Sequence, residues 1–188
     1  MNDFLKTFQS TWECDIKARF HKGLINYERQ LQSILYNQLR VRLTNDFEIY
    51  IEPVFYQLEK IKPDMVITKA NKIIAIIELK SKPWEYPTFF TDMKKLERFR
   101  KEINVDEEIV LGWIPKSADW YEQDKYKDSK LCYKIDQNLL LIMALITRYD
   151  SDVVTKEAKD FQPYTDNKNF YIFLGYIDQN KEIVFKRK

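Results

Sequence analysis

Carboxylates and lysines are the side chains with which this chain can do chemistry. One group of them falls at a usable spacing: Pro63-Asp64 is followed fourteen residues later by Glu78-Leu79-Lys80. The sequence holds a single Pro-Asp pair, whereas the acid-x-Lys pattern begins at Asp15, Glu78, Asp92, Asp128, Glu157 and Asp166. Of those six copies, only the one at Glu78 ends an apolar, β-branched run, NKIIAIIELK. Side chains alternate along a strand, so this segment is expected to show Ile74, Ile76, Glu78 and Lys80 on one face and Ile73, Ala75, Ile77 and Leu79 on the other. Both faces begin apolar, which is the mark of a central strand covered on two sides. A carboxylate and an ammonium on such a strand cost several kcal/mol unless they are compensated. An ion pair between Glu78 and Lys80 at a strand end is the structural alternative to a site.

Two neighbours add to the pattern. KPDMVIT reads as a strand joined to NKIIAIIELK by little more than Lys69 to Asn71, where an asparagine suits a left-handed turn. A hairpin turning near Ala70 sets Asp64 and Glu78 at the same end of adjacent strands. Two carboxylates so placed repel one another unless a cation lies between them, and their hard oxygens suit Mg²⁺ or Mn²⁺. LINYERQLQSILYNQLRVRL reads as one long helix, and Glu28 lies four residues after Leu24 and three before Leu31, on the face that helix must bury. A carboxylate on such a stripe points to a site.

Composition excludes much else. The single histidine (His21) and two cysteines (Cys14, Cys132) are too few, or wrongly spaced, for a Cys/His zinc site or a two-histidine metalloprotease. Glycines 23, 112 and 175 are too scattered for GxGxxG or Walker A loops. The cysteines lack CxxC spacing and read as reduced thiols of a cytoplasmic protein, and His21 as a surface or capping residue. The longest apolar run, Leu139 to Ile146, is too short to span a membrane, and the N-terminus does not resemble a signal peptide. With 31 basic and 29 acidic residues the net charge is only +2, so an anionic partner must be met by a local basic patch.

The remaining elements follow from periodicity. After a short N-terminal segment and the helix bearing Glu28, FEIYIEPVFYQL is expected as one strand ahead of the hairpin. TFFTDMKKLERFRKEI should be a helix, EEIVLGWIP a fourth strand added parallel to the sheet, and KIDQNLLLIMALITRY a buried helix. Residues 150 to 169 suggest a helix and loop before a terminal hairpin in NFYIFLGYIDQNKEIVFKRK. The expected fold is α/β of the α+β kind: a mixed central sheet flanked by helices, with a C-terminal helix and β-hairpin, in a single domain over 1–188.

These residues resemble the PD-(D/E)xK, or restriction-endonuclease-like, nucleases, whose pattern is an acidic helix, a hairpin bearing Pro-Asp and a central strand bearing Glu-x-Lys. Here those are Glu28, Pro63-Asp64 and Glu78-Leu79-Lys80, with a helix and a strand following in the family's order. The likeness spans 24–115 and leaves 116–188 as an elaboration. It implies a metal-dependent nuclease of DNA, with restriction, anti-phage defence or repair as settings. An RNA nuclease, or a non-cleaving binding or assembly module on the same fold, is the alternative. The resemblance further implies that Asp64, Glu78 and the Leu79 carbonyl hold Mg²⁺ or Mn²⁺, with Glu28 binding directly or through water. Lys80 would orient or help deprotonate the attacking water, with the nearby metal sparing it a negative partner of its own. Lys82, Lys94, Lys95 and Arg98 are candidate contacts to the phosphate backbone, although Asp92, Glu97 and Glu102 also suit a merely solvated helix face. Trp84, Trp113, Trp120 and Tyr121 either stack on bases or pack in the core and rim. Double-strand cleavage would call for a homodimer, and an operon-encoded protein partner would direct the activity.

Overall fold

The structure is a computed structural model and describes residues 3–58, 61–82, 90–105, 107–112, 131–147, 168–177, 180 and 182–187. The chain begins with a helical arm, α1 (Asp3–Ser10), a π-helical stretch (Thr11–Ile16) and α2 (Lys17–His21). Phe4, Phe8, Trp12, Ile16 and Phe20 are all buried, one every fourth residue. In an α-helix a four-residue repeat overshoots each turn by about 40°. The wider π turn draws the stripe back, so one apolar face stays on the sheet along the whole arm.

α3 (Glu28–Arg42) buries Leu31, Leu35 and Leu39. It starts later than the periodicity suggests: Tyr27 is its extended N-cap (φ −153°, ψ 167°), and Leu24 precedes it with 47% of its surface exposed. Next come β1 (Phe47–Ile51) and β2 (Val54–Phe55), where one strand was expected. Glu52 adopts a left-handed φ of 48° and Pro53 has no N–H to pair, so the chain breaks there and its halves join different partners. β3 (Met65–Lys69) and β4 (Lys72–Lys82) form the expected antiparallel hairpin, turning through Ala70 (φ 49°) and Asn71 (φ 59°).

α4 (Phe90–Glu102) buries Met93, Leu96 and Phe99, as its spacing predicts. β5 (Glu108–Gly112) and β6 (Leu131–Thr147) depart from expectation. The segment expected as a buried helix is instead the long strand β6, parallel to β4. Leu141, Met143 and Leu145 enter one core while Leu140, Ile142, Ala144 and Ile146 enter the other. Apolar alternation between two buried faces reads as an unbroken apolar run, which periodicity cannot tell from a buried helix. β6 starts at Leu131, before its pairing with β4 begins at Lys134, and β5 pairs antiparallel with that projecting end instead of adding parallel. β7 (Phe170–Ile177) and β8 (Ile183–Arg187) make the expected terminal hairpin, with β7 parallel to β6. The expected helix and loop over 150–169 lie almost wholly outside the described residues.

The protein is therefore a mixed α/β fold. Among the described residues, eight strands form one sheet in the order β1-β3-β4-β6-β5-β2, with β7 pairing with β6 and β8 with β7. The N-terminal arm and α3 cover one face, and α4 covers the other.

Candidate active site

The hairpin carries a one-residue irregularity that decides where its carboxylates meet. Near the turn Lys69 faces Lys72, whereas beyond the bulge at Ile67/Thr68 Met65 faces Ile77. Extended by one residue, that register sets Asp64 opposite Glu78; without the bulge, Asp64 would face Ile77. A shift of one residue turns a side chain to the other face, so the bulge puts both carboxylates on the same side. It also corrects the expected faces of β4: Ile73 and Ile76 share the α4 core, while Ile74 joins Ala75, Ile77 and Leu79 on the other.

Asp64 is fixed from two sides. Its Oδ2 accepts a hydrogen bond from the Leu79 N–H at 2.6 Å. Its own carbonyl accepts from the Glu52 N–H at 2.9 Å and from Gln32 Nε2 at 3.0 Å. Burial pushes its carboxyl up to about 6, against the hydrogen bond from Leu79, and Glu28 adds to the rise. Glu78 is only 1% exposed. Oε2 accepts from Lys95 Nζ of α4 at 2.8 Å, while Oε1 is buried without a hydrogen-bond partner among the described residues. Burial, with repulsion from Asp64, pushes Glu78 up to about 9 even though Lys95 pulls the other way.

Lys80 lies two residues along β4 from Glu78 and meets Asp92 of α4 at 3.1 Å and Glu28 of α3 at 3.4 Å. Burial alone would depress its ammonium, but Asp92 and then Glu28 outweigh that and raise its pKa above the ordinary lysine value. Asp92 also lies 3.8 Å from Lys95. A chain of alternating charge thus runs from Glu28 through Lys80, Asp92 and Lys95 to Glu78, with Asp64 beside it.

The sequence-derived residues divide accordingly. Glu28, Asp64, Glu78 and Lys80 converge, and Leu79 supplies the amide that fixes Asp64. Glu28 arrives by a route other than the one expected: it is half-exposed in the first turn of α3, not part of its buried stripe, and reaches the site as a partner of Lys80. Lys80 has two negative partners, not none. Lys95 is committed to Glu78, so it does not extend the outer basic face, and Arg98 pairs with Glu102 at 2.7 Å. Lys94 is exposed on α4. The Lys82 side chain, Trp84, Trp113, Trp120 and Tyr121 lie outside the described residues. His21 is exposed in the last turn of α2, and Cys14 and Cys132 are free and exposed. Asp92 went unassigned as a site residue. It immediately precedes buried Met93 and lies one turn before Lys95, on the flank of the stripe that meets the sheet.

Among the described residues, no three His, Cys, Asp or Glu side chains are gathered closely enough to hold a metal ion as they stand. The donor set nevertheless suits a hard divalent cation. Four carboxyl groups (Glu28, Asp64, Glu78, Asp92) gather around two ammonium groups, Lys80 and Lys95, so the set carries an excess of two negative charges once all four are ionised. Glu78 has one oxygen without a hydrogen-bond partner among the described residues, and burial, with repulsion between carboxylates second to it, raises the pKa of both Asp64 and Glu78; a bound cation would offset both effects.

No family model and no curated protein matches the chain. Among solved structures, it is similar to Pyrococcus furiosus SfsA in complex with Ca²⁺, at a TM-score of 0.41 and 11% identity. The likeness covers 84% of this chain and 62% of that one, so the chain spans under two thirds of the SfsA length. Among the described residues, no helix is long and apolar enough to cross a membrane.

Proposed function

We propose that this chain is a divalent-metal-dependent nuclease of the PD-(D/E)xK kind, hydrolysing phosphodiester bonds of DNA. The observation that carries the reading is one constellation: Asp64 held on the Leu79 amide, opposite buried Glu78, with Lys80 two residues further along the same face. Asp64, Glu78 and the Leu79 carbonyl would hold Mg²⁺ or Mn²⁺, with Glu28 assisting directly or through water. When bound, such an ion would activate water for attack at neutral pH and offset charge on the phosphate oxygens.

The protein's own groups do the rest. Lys80 stays protonated at neutral pH because Asp92 and Glu28 support its charge, so it acts as a donor that orients water and neutralises developing oxygen charge, not as the base. Asp92 positions Lys80 and Lys95 from α4. A non-cleaving nucleic-acid-binding module is the second reading, favoured by the pairing of both site lysines with carboxylates.

The test incubates plasmid DNA and labelled RNA with Mg²⁺ or Mn²⁺, alongside Asp64→Ala and Lys80→Ala. Cleavage by wild type that both substitutions abolish is the expected result, and the preferred substrate separates DNA from RNA. Equal cleavage by variants and wild type refutes the site, and no cleavage of either substrate favours the binding module.

A further inference from the structure

The connector between α2 and α3 has no part in the chemistry above, yet it borders the site. Phe20 at its start packs on Phe185 of β8, ring centroids 6.1 Å apart. Phe185 pairs with Gly175 of β7, Gly175 with Ile146 of β6, and Ile146 with Ser81 of β4, next to Lys80. At its other end the connector enters α3 at Glu28, 3.4 Å from Lys80. Residues 21–27 therefore link a contact on β8 to Glu28 beside Lys80, and both anchor points lie near the C-terminal ends of the parallel strands β7, β6 and β4, the end where open α/β sheets take their ligands. Gly23, at φ +69°, closes α2 with its N–H on the Phe20 carbonyl at 2.9 Å, and Ile25 is buried beneath the connector.

The outward side of this connector is cationic. No acidic residue occurs between Ile16 and Tyr27, in a chain whose charges otherwise nearly balance. His21, Lys22 and Arg29 are exposed and Arg19 is partly so. Beside them stands an aromatic ring with no burial to account for it: Tyr27 is 57% exposed, immediately before the site residue Glu28. Cations spaced along a chain suit a phosphate backbone, and an exposed ring among them suits the face of an unpaired base, which a duplex keeps stacked.

We infer that the α2–α3 connector is the approach surface for an unpaired nucleic-acid strand, with phosphates along Arg19, Lys22 and Arg29 and a base on Tyr27. This rests on the nuclease reading for what happens to the strand, but its test is one of binding. Fluorescein-labelled oligothymidylate and a duplex of equal length are titrated by anisotropy with EDTA present, over a salt series. Wild type should bind the single strand more tightly. Tyr27→Ala should weaken single-strand binding by about tenfold while leaving duplex binding unchanged, and Tyr27→Phe should retain it. Lys22→Ala should lower the slope of log affinity against log salt by about 0.7. Tyr27 and Lys22 are exposed and the Tyr27 capping bonds use its backbone carbonyl, so both variants should keep their fold. Single-strand affinity unchanged by Tyr27→Ala, or tighter binding of the duplex, overturns the inference. Connector-dependent binding with no hydrolysis in Mg²⁺ or Mn²⁺ would leave the surface standing and remove the nuclease reading. Hydrolysis with connector-independent affinity would do the reverse.

Discussion

Replacing Glu78 with glutamine should change how stability depends on pH, with a sign that the site dictates. In the folded, metal-free protein burial pushes Glu78 up to about 9, against an ordinary value of 4.5 for an exposed chain. Below pH 4.5 both states carry the proton and the group has no effect on stability. Between there and about 9 the unfolded chain has lost the proton while the native state keeps it. Unfolding then releases a proton, and stability falls by up to about 1.4 kcal/mol per pH unit. From pH 5 to pH 8 that amounts to about 4 kcal/mol, a large share of a typical total of about 5–15 kcal/mol. Asp64, pushed up to about 6, acts in the same direction at the low end of the window. Glu78→Gln keeps the shape and has no proton to lose, so its stability should be nearly flat from pH 6 to 8, crossing that of wild type. Urea titrations with EDTA at pH 5, 6.5 and 8 measure the difference directly. Saturating Ca²⁺ should recover the wild-type loss at pH 8, because an ion bound to ionised carboxylates favours the native state, and should do little for Glu78→Gln. Parallel pH profiles for the two proteins would refute the reasoning: Lys95, 2.8 Å away, would then be holding Glu78 ionised unaided.

Three further outcomes follow from the geometry. Asp92→Asn should lower kcat by about 10–100-fold, taking it as one support of a proton-holding group, and shift the basic limb of the pH–rate profile downward, since Lys80 loses its stronger partner; an unshifted limb would remove Asp92 from the site. Gly175→Ala places a Cβ 2.6 Å from the Phe185 ring and should cost about 1–3 kcal/mol in urea unfolding, part of it recovered when Phe185→Leu is added. The double substitution Ala70→Asn with Asn71→Gly supplies the residues that two left-handed positions favour and should raise stability by about 1 kcal/mol, with site chemistry unchanged.

Legibility differed between elements for identifiable reasons. The hairpin bearing Asp64 and Glu78 was visible because a two-residue turn between short apolar runs admits little else. The helix carrying Met93, Leu96 and Phe99 was visible because only one of its faces is apolar. β6 was not, since both of its faces are buried and each erased the other's period. The N-terminal arm did carry a signal, an aromatic or aliphatic residue at 4, 8, 12, 16 and 20, but a repeat of four matches neither the helix nor the strand period and gains meaning only once a π turn is allowed. Long-range charge pairing lay further out of reach: that Lys95 turns inward to Glu78 while Arg98 stays with Glu102 depends on how α4 is laid on the sheet.

The bulge shows most plainly what spacing arguments leave undetermined. Counting outward from the turn at Ala70-Asn71 gives Asp64 a partner at Ile77, whose side chain enters the core beneath α3. On that register Asp64 and Glu78 would point to opposite faces and no shared site would exist. One extra residue, Ile74, moves the register by one and turns Asp64 to the side of Glu78 and Lys80. Ile74 is as apolar as its neighbours and is buried with Ala75, Ile77 and Leu79, so nothing in its character marks it as the inserted residue. Pro-Asp and Glu-x-Lys share one face only if the hairpin contains an odd residue. The spacing argument that sets both carboxylates at one end of adjacent strands does not foresee that irregularity, and their meeting depends on it.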